Sequence, residues 1–181
     1  MRRDDPEVGR IVKSAYLIIG APGVGKTTLI RQVVSTMRLR AGGFYTEDLQ
    51  SGGSREGFRI VTLDGEMGLL AATGRPGNMT VSKYGVDLQE LERVAVPALQ
   101  GAMRRGHVMI ADEIGKMQLY SSAFRHTILD AVRAGHPLLG TIMAGRNPYA
   151  DRIKSQRNVE ILELTESNRA EILATLRARF V

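Results

Sequence analysis

The sequence has no cysteine and no tryptophan, and only 5% of its residues are aromatic. The missing thiols exclude disulfides and thiolate metal centres, so stability must come from packing and hydrogen bonding alone. Histidine is scarce too: His107, His126 and His136 are widely separated and show no metal-ligand spacing. No apolar run approaches the roughly 20 residues that span a bilayer. The opening stretch, MRRDDPEVGR, carries two arginines but no apolar segment, and does not read as a signal peptide. These absences leave a cytoplasmic protein with no membrane partner as the default expectation. At 181 residues the chain suits one domain, 1–181, and such a domain buries roughly 70% of its unfolded surface without staples.

Charge is the one composition signal that points to a partner. The formal net charge is +6, which raises nucleic acid as a ligand. The basic residues are dispersed, however, in pairs such as Arg38 and Arg40, Arg104 and Arg105, and Arg177 and Arg179. No stripe alternates basic and aromatic residues. Solvated helix ends, where cations suit the helix dipole, are the favoured explanation, and nucleic acid stays a secondary one. Nothing in the pattern fixes an oligomeric state.

What is present is alternation. AYLIIG, residues 15–20, is a short apolar run closed by glycine, as a buried parallel strand would be. Leu29, Ile30, Val33, Val34 and Met37 share one helical face, and Gly42-Gly43 is expected to end that helix. From Phe44 to Thr73, FYTEDLQ, FRIVTLD and GLLAAT read as short strands separated by turn-rich segments. This predicts an antiparallel insertion or edge meander over 44–73. Asp87 and Glu90 have capping-box spacing and open a helix with Leu88, Leu91, Ala95, Leu99 and Met103 on its apolar face. VMIADE (108–113) is a second buried strand, followed by a helix carrying Phe124, Ile128, Leu129 and Val132. The strand PLLGTIMA, the basic segment GRNPYADRIKSQR, the strand VEILEL and a helix from about Ser167 complete the pattern. The fold class is therefore α/β: three layers around a largely parallel sheet, with a small antiparallel meander.

The segment GAPGVGKT matches the P-loop at every specified position: Gly20, Gly25, Lys26 and Thr27. The context agrees, with an apolar strand before it and a periodic helix after it. Gly23 and Gly25 remove side chains, so the backbone through Ala21, Pro22 and Val24 can wrap phosphates with its N–H groups. Lys26 would place a charge on the β and γ phosphates, the Thr27 hydroxyl would ligate Mg²⁺, and Thr28 would reach an α-phosphate oxygen. Asp112 ends VMIADE as a Walker B acid, delivered beside the P-loop to hold Mg²⁺. Glu113 follows, and paired acids at this place suggest hydrolysis, with Glu113 activating water. No N-K-x-D guanine motif occurs. Ser51-Gly52-Gly53 superficially resembles a transporter-ATPase signature but lies far upstream of Asp112, and reads as a hairpin turn.

GAPGVGKTTL, GFYTED, GFRIVTLDG, SKYGVD, ADEIGKMQL and LTESNR, in that order, resemble the thermophilic, or cancer-related, nucleoside-triphosphatase family. The similarity runs from Tyr16 to the final helix. It implies a RecA-like P-loop fold and Mg²⁺-dependent hydrolysis of ATP, GTP and other nucleoside triphosphates with broad base tolerance. It also implies that MIADEIGK, with Asp112, Glu113 and Lys116, is a second nucleotide-binding segment. Two positions depart from the family pattern: Gln118 stands where an acid is expected, and Asn147 where relatives often have histidine. Residues 1–14 have no clear counterpart and are expected to be a loose tail.

Three further groups are candidates beside their plainer readings. Arg146, with Arg152, Lys154 and Arg157, can neutralise charge developing on the triphosphate, or form a solvated basic helix. Asn168 and Arg169 can lie near the base, although helix-start chemistry suits Asn168 better. The leading function is nucleoside-triphosphate hydrolysis. A small-molecule or nucleotide kinase on the same P-loop, or a nucleic-acid-linked NTPase, are the alternatives.

Overall fold

A computed structural model of the chain describes residues 12–76 and 79–180. Its spine is one nine-stranded sheet in the order β5-β6-β4-β3-β2-β7-β8-β1-β9. β1 (Ala15–Ile19) is apolar throughout because both of its faces are covered. Ala15 and Leu17 point into one core layer, Tyr16 and Ile18 into the other, as the two-residue period of a strand requires. β1 pairs in parallel with β8 (Leu138–Ile142) on one side and β9 (Val159–Glu163) on the other. β7 (Val108–Ile114) lies one strand further out, paired with β8 and then with β2 (Ala41–Ser51).

Helices cover the two faces separately. α1 (Lys26–Thr36) and α5 (Arg169–Arg179) pack on one side through Leu29, Ile30, Val33, Ile172 and Leu176. α2 (Leu88–Arg104), α3 (Ser122–Arg133) and α4 (Pro148–Lys154) cover the other through Leu91, Leu99, Phe124, Ile128 and Ile153. The three-layer α/β arrangement expected from the strand-helix alternation is the one observed.

Three boundaries differ from the sequence reading. α1 stops at Thr36, not at Gly42-Gly43; Arg38, at φ 50°, makes the turn, and both glycines lie inside β2. Gly43 is needed there because a Cβ would sit 2.0 Å from the Ile110 carbonyl oxygen of β7. The antiparallel region extends beyond Thr73. After β3 (Ser54–Thr62) and β4 (Met67–Thr73), a hairpin of β5 (Met79–Val81) and β6 (Tyr84–Val86) adds two more strands. The expected tail lies mostly outside the described residues, but its last two positions are anchored. Lys13 Nζ donates to the Arg157 and Val159 carbonyls at 2.8 and 2.9 Å, and Ser14 N donates to Asn158 O.

Two expected local devices are present. Gly52 and Gly53, both at positive φ, form the turn between β2 and β3. Asp87 accepts a hydrogen bond from Glu90 N at 2.9 Å and caps α2. The box is not reciprocal, because the Glu90 carboxylate is taken by Arg93 and Asp87 N donates to Leu70 O.

Candidate active site

The P-loop continues the backbone of β1 and turns into α1. Gly25, immediately before α1, has φ 92°, a left-handed conformation that glycine adopts without Cβ strain. No side chain caps this helix. Its first N–H groups therefore stay available at the positive end of the helix dipole, the arrangement that attracts phosphate. Lys26 Nζ bridges the loop, donating to the carbonyls of Gly20 at 2.8 Å and Ala21 at 3.0 Å. From behind, Arg169 Nη1 donates to Gly25 O at 3.2 Å and Nη2 to Gln32 Oε1 at 3.3 Å. α5 is thus pinned to the loop and to α1 by one guanidinium.

β7 carries Asp112 to the same place. The carboxylate is buried, and Oδ1 accepts a 2.6 Å hydrogen bond from Thr141 Oγ1 on β8. Oδ2 is also buried and has no partner among the described residues. Burial pushes the Asp112 carboxyl above the usual carboxylate range, while the Thr141 hydrogen bond, the nearby Thr27 hydroxyl and the charges of Lys26 and Arg31 oppose it. Thr27 and Asp112 line the same cleft. Glu113 follows across a cis peptide bond. Its side chain is open to the cleft, yet the surrounding walls displace enough water that desolvation leads in raising its carboxyl, the charges of Asp112 and Asp48 adding to it and Lys26 opposing.

These groups border one cleft of about 510 Å³. The loop side is Pro22, Gly23, Gly25, Lys26, Thr27 and Thr28; Asp112 and Glu113 form the floor. The far wall is Thr46, Asp48, Arg55 and Phe58 of the β2-β3 hairpin. Gly20, Ala21 and Val24 line a second cleft, of about 420 Å³, on the other side of the loop beside Glu163–Glu166. The structure thus brings the P-loop, Asp112 and Glu113 together as the motifs predict.

Other candidates fall elsewhere. Lys116 and Arg146 are exposed and line neither cleft. Asn147 caps α4, accepting from Tyr149 N and Ala150 N, and Lys154 Nζ donates to Ala144 O. Asn168 turns backward rather than capping α5: Oδ1 accepts from Thr165 N, and Nδ2 donates to Glu163 O, each at 2.8 Å. Gln118 is buried and donates to Thr46 Oγ1 at 3.3 Å, linking the segment after β7 to the hairpin wall. Thr141 and the individual wall residues Thr46, Asp48, Arg55 and Phe58, all but Thr141 within the 44–73 meander, belong to no motif. The arginine two residues after the Gly52-Gly53 turn is the one local signal of them.

A P-loop between β1 and α1, facing a buried acid one strand beyond β8, defines a P-loop nucleotide-binding protein. The family model described as NTPase matches residues 15–176. Nucleoside-triphosphatase THEP1 of Thermotoga petrophila is 47% identical over 157 residues, covering 87% of each chain. The human cancer-related nucleoside-triphosphatase is 36% identical over 176 residues, covering 86% of this chain and 90% of its own. The crystal structure of THEP1 from Aquifex aeolicus superposes with a TM-score of 0.82 at 35% identity, covering 91% of this chain and 98% of that one. The chain belongs to the nucleoside-triphosphatase family and is an enzyme acting on nucleoside triphosphates.

Proposed function

We propose that the protein is a Mg²⁺-dependent phosphohydrolase that converts ATP, GTP and other nucleoside triphosphates to diphosphate and phosphate with broad base tolerance. The observation that carries this reading is the convergence of Lys26, Asp112 and Glu113 on one cleft. The free helix N-terminus and loop amides bind the phosphates, and Lys26 leaves its loop carbonyls to neutralise the β and γ oxygens. Glu113 accepts a proton from the attacking water as its oxygen bonds to the γ phosphorus and the bond to the bridging oxygen breaks. Glu113 is exposed to the cleft, where its carboxylate can take that proton.

The donor set fits magnesium. Thr27 offers a hydroxyl, and the orphaned Oδ2 of Asp112 is a hard, buried oxygen that lacks a partner. An ion held by these two residues would neutralise charge shared between the β and γ phosphates. Broad base tolerance is supported by the absence of the N-K-x-D motif from the sequence.

The test is Glu113→Gln. Binding of a non-hydrolysable triphosphate should stay near wild type while phosphate release falls by about 10²–10⁴-fold. Near-normal turnover would remove Glu113 from the role of base. A second reading, phosphoryl transfer to a small acceptor, is supported by the polar and aromatic hairpin wall, which leaves room opposite the loop. Phosphate release from each common nucleoside triphosphate, with and without nucleosides and monophosphates, separates the two. Acceptor-dependent loss of free phosphate would favour transfer.

A further inference from the structure

β2 outruns the strand beside it. Its parallel ladder with β7 ends at Tyr45 opposite Asp112, and β2 then continues through Thr46–Ser51. Six residues of strand reach about 20 Å. With β3 they form a hairpin that overhangs the P-loop from the Asp112 side.

Residues two apart on a strand share a face, so Thr46 and Asp48 both look into the cleft, with Phe58 paired opposite Asp48. Plain alternation back from Phe58 would send Arg55 to the other face. The register shift at Leu49/Gln50 prevents this: Leu49 pairs with Gly57, but Gln50 pairs with Arg55. This irregularity turns Arg55 onto the face of Asp48 and Phe58, the re-aiming for which bulges near active sites are known.

Arg55 is held in that position by two contacts, Nη2 at 2.6 Å from Asp48 Oδ2 and the guanidinium 5.5 Å from the Phe58 ring centroid. The pair is half-exposed, so the tether is weak and can be exchanged for a stronger anion. Among the described residues, Lys26 and Arg55 are the two cationic side chains lining the cleft. In the sheet order β7, which carries Asp112 and Glu113, lies between β2 of the hairpin and β1, which leads into the P-loop.

We propose that Arg55 is a catalytic residue: an arginine supplied within the same chain by the β2-β3 hairpin, which leaves Asp48 for the terminal phosphate as charge develops. The water oxygen bonds to the γ phosphorus while the bond to the bridging oxygen breaks, and the water proton passes to Glu113. The electron pair of the broken bond stays on the bridging oxygen of the leaving diphosphate. Arg55 donates N–H bonds to the oxygens gaining charge, opposite Lys26, and takes no proton. The proposal rests on phosphoryl transfer at this site, whether water or another acceptor receives the group.

The experiment compares wild type, Arg55→Ala, Arg55→Lys and Glu113→Gln in two assays: phosphate release, and trapping of a fluorescent nucleoside diphosphate with aluminium fluoride and Mg²⁺. Arg55→Ala should lower kcat by about 10³–10⁵-fold and weaken the trap comparably, with Kd for a non-hydrolysable triphosphate changing far less. Added guanidinium ion should restore part of the Arg55→Ala rate and none of the Glu113→Gln rate. Arg55→Lys keeps the charge and the Asp48 pair, so it should remain folded yet lose the two-pronged donor and most of the rate. Circular dichroism identifies any variant that has unfolded. Trapping by Arg55→Ala as tight as wild type, or a kcat unchanged while Kd weakens, would overturn the assignment. A wild type that traps the diphosphate but releases no phosphate would sink the hydrolase reading alone. One that does neither would sink both.

Discussion

Gly43 shows how much one residue can mean in different frames. In sequence, a Gly-Gly pair after an amphipathic run looks like a helix stop. In the fold it lies where β2 approaches β7 so closely that a Cβ has no room, at φ 124°. Gly43→Ala should therefore destabilise the protein by more than about 1 kcal/mol, a loss that urea titration would read as a lower midpoint. The P-loop glycines were legible because their motif is defined by spacing, and Asp112 because an acid after an apolar run is rare. Thr141 was not legible. Its hydroxyl matters only because β8 happens to lie beside β7, and no spacing in the chain announces that contact.

At the scale of elements, the hairpin of β2 and β3 is tied to the P-loop helix through Glu47. Arg31 on α1 reaches Glu47 Oε1 at 2.6 Å, and Arg59 on β3 reaches Oε2 at 2.9 Å. Hydrogen bonds from Arg31, then from Arg59, hold the Glu47 carboxyl below its usual range. A carboxyl depressed by folding stabilises the protein above its unfolded pKa, and that contribution fades as pH falls through the folded value. Glu47→Gln should therefore cost about 1 kcal/mol near neutral pH, and its melting curve should converge on wild type as pH drops below about 4. A gap that persisted in acid would mean that the carboxylate is not what matters. The elements themselves were mostly readable, since strand and helix periods are local. β5 and β6 were missed because each is three residues long, and neither is a strand without β4 to pair with.

For the whole molecule, the excess of positive charge looks different once the chain is folded. Arg31 and Arg59 serve Glu47, Arg55 serves Asp48, Arg75 serves Asp87, and Arg93 serves Glu66 and Glu90. These five arginines are thus struts that tie the antiparallel wall to α1 and to the start of α2. Adding single- or double-stranded nucleic acid at about 150 mM salt should leave the rate of phosphate release unchanged. Stimulation that survived that salt would argue for a nucleic-acid-linked role. Among the described residues no helix is long and apolar enough to cross a membrane.

The position of β1 carries a consequence for how the protein comes into being. It is the earliest strand described, yet both of its neighbours, β8 and β9, come from residues 138–163, and the arginine that braces the P-loop is residue 169. On the ribosome, the nucleotide loop emerges long before the two strands that flank β1 and the arginine that braces it. Contacts this distant in sequence slow folding, because the loop must be closed before the pairing rewards it. Bound nucleotide should therefore stabilise the finished fold far more than any fragment that ends before β8.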